Sequence, residues 1–414
     1  MKERTNDARI VIVGAGHAGG KMAEALREAG HVGPLSLVGG ESHPPYERPP
    51  LSKEMLGGES TVESTYLHPR EWYASSSIAL RTGSVAVELD RQQQMVHLAN
   101  GDALPYDLMV MATGARARRL NVPGVDGPNI FTLRGIDDAL AVRSRLVAGG
   151  RLAVVGAGFI GLEIAATARR HGMEVIVIEA ALHPLARMVS SDIGYFFADL
   201  HRNEGVEVRT GVMVSSIDSD ASGVRLYTDD GVTTTADIAV IGVGAVPNTE
   251  LAARANLAVD DGIVVDQWGR SSDDRIFAVG DVSRHFSPFL GRHVRLESWQ
   301  NAQNQPVAVA RAMMGGTEPY SEVPWFWTDQ YDLNIQLAGS PIQWDSVVAR
   351  GNPYSPGYVH VFVADDVPVG AIAINNGRDM RFLRQMIARR EKVDLEALRD
   401  PRRKLQEIAA LASS

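Results

Sequence analysis

Two glycine fingerprints of one design, each directly after four apolar residues, limit what this chain can fold into. The first is Gly14-Ala15-Gly16-His17-Ala18-Gly19, after Ile10-Val11-Ile12-Val13; the second is Gly156-Ala157-Gly158-Phe159-Ile160-Gly161, after Leu152-Ala153-Val154-Val155. Each reads as a buried parallel strand turning at once into a helix whose N-terminal N–H groups face a pyrophosphate. With 40 glycines in 414 residues, chance alone supplies about 0.4 such matches, so context must carry them. After Gly161 comes the small-residue helical stretch Leu162 to Ala168, then Glu174 to Glu179, a strand ending in an acid. Glu179 stands 23 positions after Gly156, where a carboxylate accepts the ribose hydroxyls of an adenosine half. No arginine or lysine follows it before Arg187, so nothing nearby awaits a 2′-phosphate, and NADH is favoured over NADPH. Two such units imply two dinucleotides, the arrangement that passes electrons from a nicotinamide to a flavin.

Composition removes several alternatives. The chain has no cysteine, which excludes disulfides, thiolate-bound iron–sulfur clusters, a redox dithiol and thiolate catalysis within it. Electrons that reach a flavin here must leave to an external acceptor. A net charge of −9 argues against non-specific nucleic-acid binding. No apolar run approaches the length of a membrane span; Leu108 to Ala112 is typical. Met1 to Asp7 leads straight into a strand and glycine turn without a secretory signal, so the expected location is cytoplasmic. No metal site is expected.

Along the chain, Arg9 to Val13, Lys21 to Ala29 and Leu35 to Val38 read as strand, helix, strand. Pro44 to Lys53 holds four prolines in seven residues and reads as a stiff loop, with Lys53 opening a short helix through Leu56. Tyr106 to Gly114 and Arg275 to Asp281 read as strands ending in small-residue turns, and Ala239 to Asn248 returns the chain to the first domain. From about residue 326 strand segments alternate, and a basic helix at Arg378 to Arg390 closes the last part. The expected fold is α/β: two Rossmann-like dinucleotide-binding domains, as in glutathione-reductase-like flavoproteins, plus a smaller α+β C-terminal domain. The expected domains are 1–114 with 247–325, 115–246, and 326–414.

These segments, in this order, make the whole chain similar to the oxygenase-coupled NADH-dependent ferredoxin reductases, the family of putidaredoxin reductase and the biphenyl dioxygenase ferredoxin reductase. The resemblance rests on the two fingerprints and on Tyr46 to Lys53, Ala112-Thr113-Gly114, Gly280-Asp281, Leu296-Glu297-Ser298-Trp299 and Pro324 to Gln330. It implies FAD in the first unit and NADH in the second. It also implies transfer of a hydride from NADH to FAD and of single electrons to a [2Fe-2S] ferredoxin feeding an oxygenase, by a monomer or homodimer. For FAD it implies Gly14, Gly16, Ala18, Gly19, Arg48, Lys53, Ala86, Thr113, Gly114, Arg134, Gly280, Asp281, Glu297, Ser298 and Trp299. For NADH it implies Gly156, Gly158, Ile160, Gly161, Glu179, Gly242 and Gly244. The acid that this family often carries after the second strand falls on Gly40, which leaves Glu41 as the candidate for the FAD adenosine ribose.

Lys53, Glu163 and Trp327 are the candidate catalytic residues. The resemblance puts Lys53 near the flavin N5 with Glu163 as its pair; the plainer alternatives are a surface lysine and a helix-face acid paired with Thr167 or Arg170. Trp325 and Trp327 share a face if extended, and Trp327 is the one expected at the ring. Arg378 to Lys404 carries ten basic and five acidic residues. Its stripe Arg378, Arg381, Arg384 is either a docking rim for an acidic ferredoxin or a solvated face. Two other functions share the architecture: an NADH oxidase, which normally uses a cysteine, and an NADH-sensing interaction protein resembling apoptosis-inducing factor.

Overall fold

The computed structural model describes residues 6–340, 343–355 and 357–411; Met1 to Thr5, most of the stretch read for a secretory signal, lie outside the described residues. The chain divides into two compact units, Met1–Arg48, Glu63–Arg116 and Val246–Phe326 forming one, and Pro49–Val62, Ala117–Ala245 and Trp327–Ser414 the other.

In the first unit, Ile10–Val13 is a central strand because it is apolar on both faces, as a covered parallel strand must be. It pairs in parallel with Leu35–Val38 and Leu108–Met111, and the sheet order is Ile276–Ala278, Leu108–Met111, Ile10–Val13, Leu35–Val38, Ile78–Arg81. Alternation then sorts the side chains. Ile10 and Ile12 join a core with Met22 and Leu26 of the helix His17–Glu28 and with Val309 and Met313 of the helix Trp299–Met313. Val11 and Val13 face the other way, against Leu89, Val96 and Leu98 of a three-stranded antiparallel sheet.

The second unit repeats the plan. Its parallel sheet runs Glu207–Thr210, Glu174–Glu179, Arg151–Val155, Ile238–Ile241, Ile130–Phe131. Leu152 and Val154 pack with Leu162 and Ile164 of the helix Phe159–Arg170 and with Phe196 and Phe197 of the helix Ser191–Asn203. Ala153 and Val155 pack on the antiparallel strands Val214–Asp220 and Gly223–Thr228. The C-terminal part is a five-stranded sheet ordered Trp325–Gln330, Leu333–Gly339, Val367–Ile374, Val359–Ala364, Ser346–Arg350. Ile335, Phe362 and Ile372 enter the same core as Phe196 and Phe197. The helix Gly377–Arg389, capped by the Asn376 side chain, buries Met380, Leu383, Met386 and Ile387.

One expectation fails locally. Lys53 does not open a helix: Pro49–Ser52 forms a single 3₁₀ turn, and residues 53–58 continue as hydrogen-bonded turns. Six residues between Pro50 and Gly57-Gly58 are too few to propagate a helix once nucleated. This stretch, which the sequence groups with the first domain, clusters with the second unit. Leu56 enters the core of Leu162 and Val154, and the Thr167 hydroxyl donates to the Ser52 carbonyl (2.9 Å).

Candidate functional site

The two glycine turns are built alike. In the first unit Gly14 has φ +114°, and a Cβ there would overlap the Ala112 carbonyl; a Cβ on Gly19 would overlap the Gly14 carbonyl. In the second unit Gly156 has φ +103° with the Gly242 carbonyl 2.5 Å from its would-be Cβ, and Gly161 would overlap Gly156. The middle glycines differ in kind. A Cβ on Gly158 meets only the Gly242 carbonyl, at 3.9 Å, and one on Gly16 only the Arg48 guanidinium, at 3.7 Å. Their open side is where a pyrophosphate approaches the backbone. Neither following helix carries an acid in its first turn, so the field of the exposed N–H groups is uncancelled there.

Around the first turn, Arg48 donates to the Tyr46 hydroxyl and to Glu41 (both 3.0 Å), and the Tyr46 hydroxyl donates to the other Glu41 oxygen (2.5 Å). Glu41 follows directly on Gly40, past the end of the strand Leu35–Val38. Gly39 there packs on Ala15, with 2.5 Å between Cβ positions, and Gly40 follows it beside Val85, one residue before Ala86. Thr113 and Asn248 exchange hydrogen bonds of 2.8 Å, which fixes the Thr113-Gly114 turn. Gly280, at φ +74°, sits against Ala18, where its Cβ would be 2.6 Å from the alanine methyl, so Asp281 lies at the start of the first helix. Ser298 caps the helix that Trp299 begins, Glu297 pairs with Arg295, and the Trp299 indole donates to Glu47 (3.0 Å). His17 meets Gln303 (2.9 Å) and the edge of Trp299, and burial holds its imidazole below the ordinary range.

In the second unit, Glu179 accepts from the Ala157 N–H (2.6 Å) and the Ala181 N–H (2.8 Å), so its carboxylate is fixed beside the glycine turn. Ile160, on the same turn, is 45% exposed despite its size. The Arg187 guanidinium lies with that of Arg118 beside Gly244, 3.6 Å from the would-be Cβ. Arg134 lies in this unit, at the entry to the helix Ile136–Arg143, which packs on the Pro49–Ser52 turn.

Lys53 and Glu163 meet at 3.7 Å, both largely withdrawn from water, and Lys53 also reaches Asp329 (3.4 Å) and the face of Trp327 (5.7 Å to its centroid). The plainer partners of Glu163 are engaged elsewhere, Thr167 with Ser52 and Arg170 with Asp332. The Ser52 and Thr328 hydroxyls donate to the two Glu163 oxygens, at 2.5 and 2.7 Å. Burial pushes the Glu163 carboxyl up from its usual range, while Lys53 and these hydroxyls oppose the shift. Ser52, Thr328 and Asp329 were not singled out in the sequence. Their signal was faint: Thr328 and Gln330 are polar residues at alternate, inward positions of one strand, which demands buried partners. Trp325 falls in the first unit and Trp327 in the second. In the stripe, Arg378 and Arg381 are exposed and Arg384 is half-buried. Among the described residues there is no cluster of three metal-ligating side chains, and no helix is long and apolar enough to cross a membrane.

With this geometry the chain falls into a known class: it belongs to the pyridine nucleotide-disulphide oxidoreductases, whose family model matches residues 8–306, and a second model, the reductase C-terminal domain, matches residues 325–409. Within that class it is similar, nearly end to end, to a ferredoxin–NAD(+) reductase component of an anthranilate 1,2-dioxygenase system from Burkholderia cepacia, at 41% identity over 95% of this chain and 97% of that one. Putidaredoxin reductase of Pseudomonas putida is 36% identical over 98% of this chain and 97% of its own. The solved covalent complex of putidaredoxin reductase with putidaredoxin superposes with a TM-score of 0.95 at 36% identity, covering 98% of this chain and 99% of the other. The disulfide chemistry in the family's name has no counterpart here, since the chain has no cysteine.

Proposed function

We propose that this chain is an NADH-dependent ferredoxin reductase that holds FAD at the first glycine turn and NADH at the second, and reduces a [2Fe-2S] ferredoxin serving an oxygenase. The observation that carries the reading is the duplicated cradle: two strand–turn–helix units, each with packed outer glycines and an open middle one. The residues fit the two nucleotides. Gly14, Gly16, Ala18 and Gly19 would admit the FAD pyrophosphate, and Arg48, whose guanidinium lies beside Gly16, would donate to it. Glu41 would accept from the adenosine ribose hydroxyls, and Asp281 from the ribityl chain. Thr113, Gly114, Ala86, Gly280, Glu297, Ser298 and Trp299 complete that wall. Gly156, Gly158, Ile160, Gly161, Gly242 and Gly244 form the NADH cradle, and Glu179 binds its ribose.

When bound, FAD supplies the conversion between a two-electron donor and one-electron acceptors. The chain's own contribution is positioning and charge. With FAD bound, Lys53 would present its ammonium to the flavin. A unit positive charge about 4 Å from a developing negative one is worth roughly 4 kcal/mol at an effective dielectric of 20, which favours reduction. Glu163 and Asp329 hold that ammonium, and Trp327 covers it. The family resemblance would add Arg134, at the entry to the helix Ile136–Arg143, to the FAD contacts. The helix bearing Arg378 and Arg381 forms a basic rim for an acidic ferredoxin. Cytoplasmic location, as a monomer or homodimer, fits an NADH-consuming protein. Purification tests the reading: the protein is yellow, and its FAD is released without covalent linkage. Colourless protein that cannot be reconstituted with FAD would overturn it.

A further inference from the structure

Glu163 sits at the end of a buried file of polar groups that reaches well beyond Lys53, all within the second unit. From the carboxylate the file passes to the Thr328 hydroxyl (2.7 Å), the Gln330 amide (3.1 Å), His201 (2.9 Å) and the Tyr331 hydroxyl (3.0 Å). Thr328 and His201 are wholly buried and Gln330 nearly so. His201 lies on the apolar face of the helix Ser191–Asn203, among Ile193, Phe197 and Ala198, where a polar side chain needs a reason.

With Glu163 ionised, as its ion pair with Lys53 at 3.7 Å requires, the direction of every bond in the file follows. An ionised carboxylate only accepts, so the hydroxyls of Ser52 and Thr328 must both donate to Glu163. Thr328 has spent its one proton and can only receive from the Gln330 NH₂. That turns the Gln330 carbonyl toward His201, whose Nε2 must then carry the hydrogen. The bare Nδ1 accepts from Tyr331. Each donor points toward Glu163, and head-to-tail bonds of one sense polarise one another.

We infer that Thr328, Gln330 and His201 are positioning residues for the Lys53–Glu163 pair: a one-way chain of hydrogen bonds that keeps Glu163 ionised and so keeps the Lys53 ammonium in place. The chain answers a need set by burial, which pushes the Glu163 carboxyl up from its usual range and so works against the charge that Lys53 pairs with. The charged groups acting on Glu163 are Lys53 and Asp329; Ser52 and Thr328 supply the two direct donors. Toward His201 the file presents only the neutral Gln330 and Tyr331, and burial presses its imidazole down to about 4, so it stays neutral as the chain requires. The positioning role rests on the proposed placement of Lys53 at the flavin; the direction of the chain does not.

The test uses the FAD-loaded full chain and three readouts. Nitrogen-15 NMR at pH 7 gives the His201 tautomer, carbon-13 NMR of the glutamate carboxyls gives the Glu163 titration, and potentiometry gives the flavin midpoint against pH. His201 is expected neutral with its proton on Nε2. Thr328→Val removes a charge-assisted donor and should raise the Glu163 titration midpoint by about one pH unit or more; Thr328→Ser should restore it. The inflection in the flavin midpoint should move with it. If Thr328→Val fails to fold, Gln330→Met makes the same comparison, with a smaller upward shift and a mixed His201 tautomer. A His201 proton on Nδ1 overturns the chain, as does a Glu163 midpoint that ignores these substitutions. A Glu163 midpoint that shifts while the flavin potential stays fixed overturns the positioning role. Failure to bind FAD at all would overturn the functional reading and leave the NMR outcomes to decide the chain.

Discussion

Glu179 offers a sharp test of how the second turn chooses its nucleotide. Both its oxygens are fixed by backbone N–H groups, of Ala157 and Ala181, so the negative charge cannot swing away from an incoming ligand. A 2′-phosphate placed within about 4 Å of that carboxylate meets a repulsion of roughly 1 kcal/mol per unit charge in water-like surroundings and 4 kcal/mol at an effective dielectric of 20. Glu179 is only half-buried, so screening favours the lower part of that range. A discrimination of at least ~1.4 kcal/mol, tenfold in kcat/KM, follows. Arg187, the next cation in sequence, lies beside Gly244. Glu179→Ala should therefore raise the NADPH-to-NADH ratio of kcat/KM at least tenfold. It should also raise KM for NADH, since ribose acceptance and the latch on Ala157 are lost together. Steady-state reduction of ferricyanide measures both constants with either coenzyme. A wild-type enzyme equally efficient with the two coenzymes, or a variant with an unchanged ratio, would remove Glu179 from the ribose site.

Three further outcomes follow from the same geometry. Gly158→Ala should keep the melting temperature, because its backbone is ordinary and its Cβ position open, yet raise KM for NADH; Gly161→Ala should unfold the turn, since its Cβ overlaps Gly156. His285 is buried and held down to about 4, so its neutral form contributes stability that is complete above the unfolded value near 6.5 and is lost as pH falls through about 4; thermal melts of His285→Phe should fall less steeply between pH 6.5 and 4, by about 3 kcal/mol over the window. Reversing Arg378 and Arg381 to glutamate should slow ferredoxin-linked cytochrome reduction and flatten its salt dependence while leaving ferricyanide turnover near wild type; equal loss of both activities would mean a damaged fold, and loss of neither would make the stripe a solvated face.

The glycine turns were legible because their constraints are local. A strand that must end in φ > 0 and a helix that must touch it leave a fixed spacing, and Leu35–Val38 and Glu174–Glu179 stand where that spacing puts them. Lys53 was legible as a candidate but not as a conformation: two prolines and two glycines six residues apart compete with the helix that Glu54-Met55-Leu56 alone would favour. The partners of Glu163 were hidden for a different reason. Ser52, Thr328 and Asp329 are 111, 165 and 166 residues from Glu163 in the chain, and only long-range packing brings them to it or to Lys53. His201 left one trace, a polar residue on an apolar helix face, that no motif explains. Glu41, next to Gly40, was legible as a candidate, but its ties to Tyr46 and Arg48 were not, since those partners come from the proline-rich loop.

The central claim, that electrons from NADH leave through FAD to a protein acceptor, is tested most directly by NADH-dependent cytochrome c reduction with a purified oxygenase-type [2Fe-2S] ferredoxin. Turnover is expected to require FAD, NADH and ferredoxin together and to fall to background when any one is withheld. Rapid cytochrome reduction in which ferredoxin makes no difference, or an FAD-loaded protein that NADH cannot reduce, would contradict it.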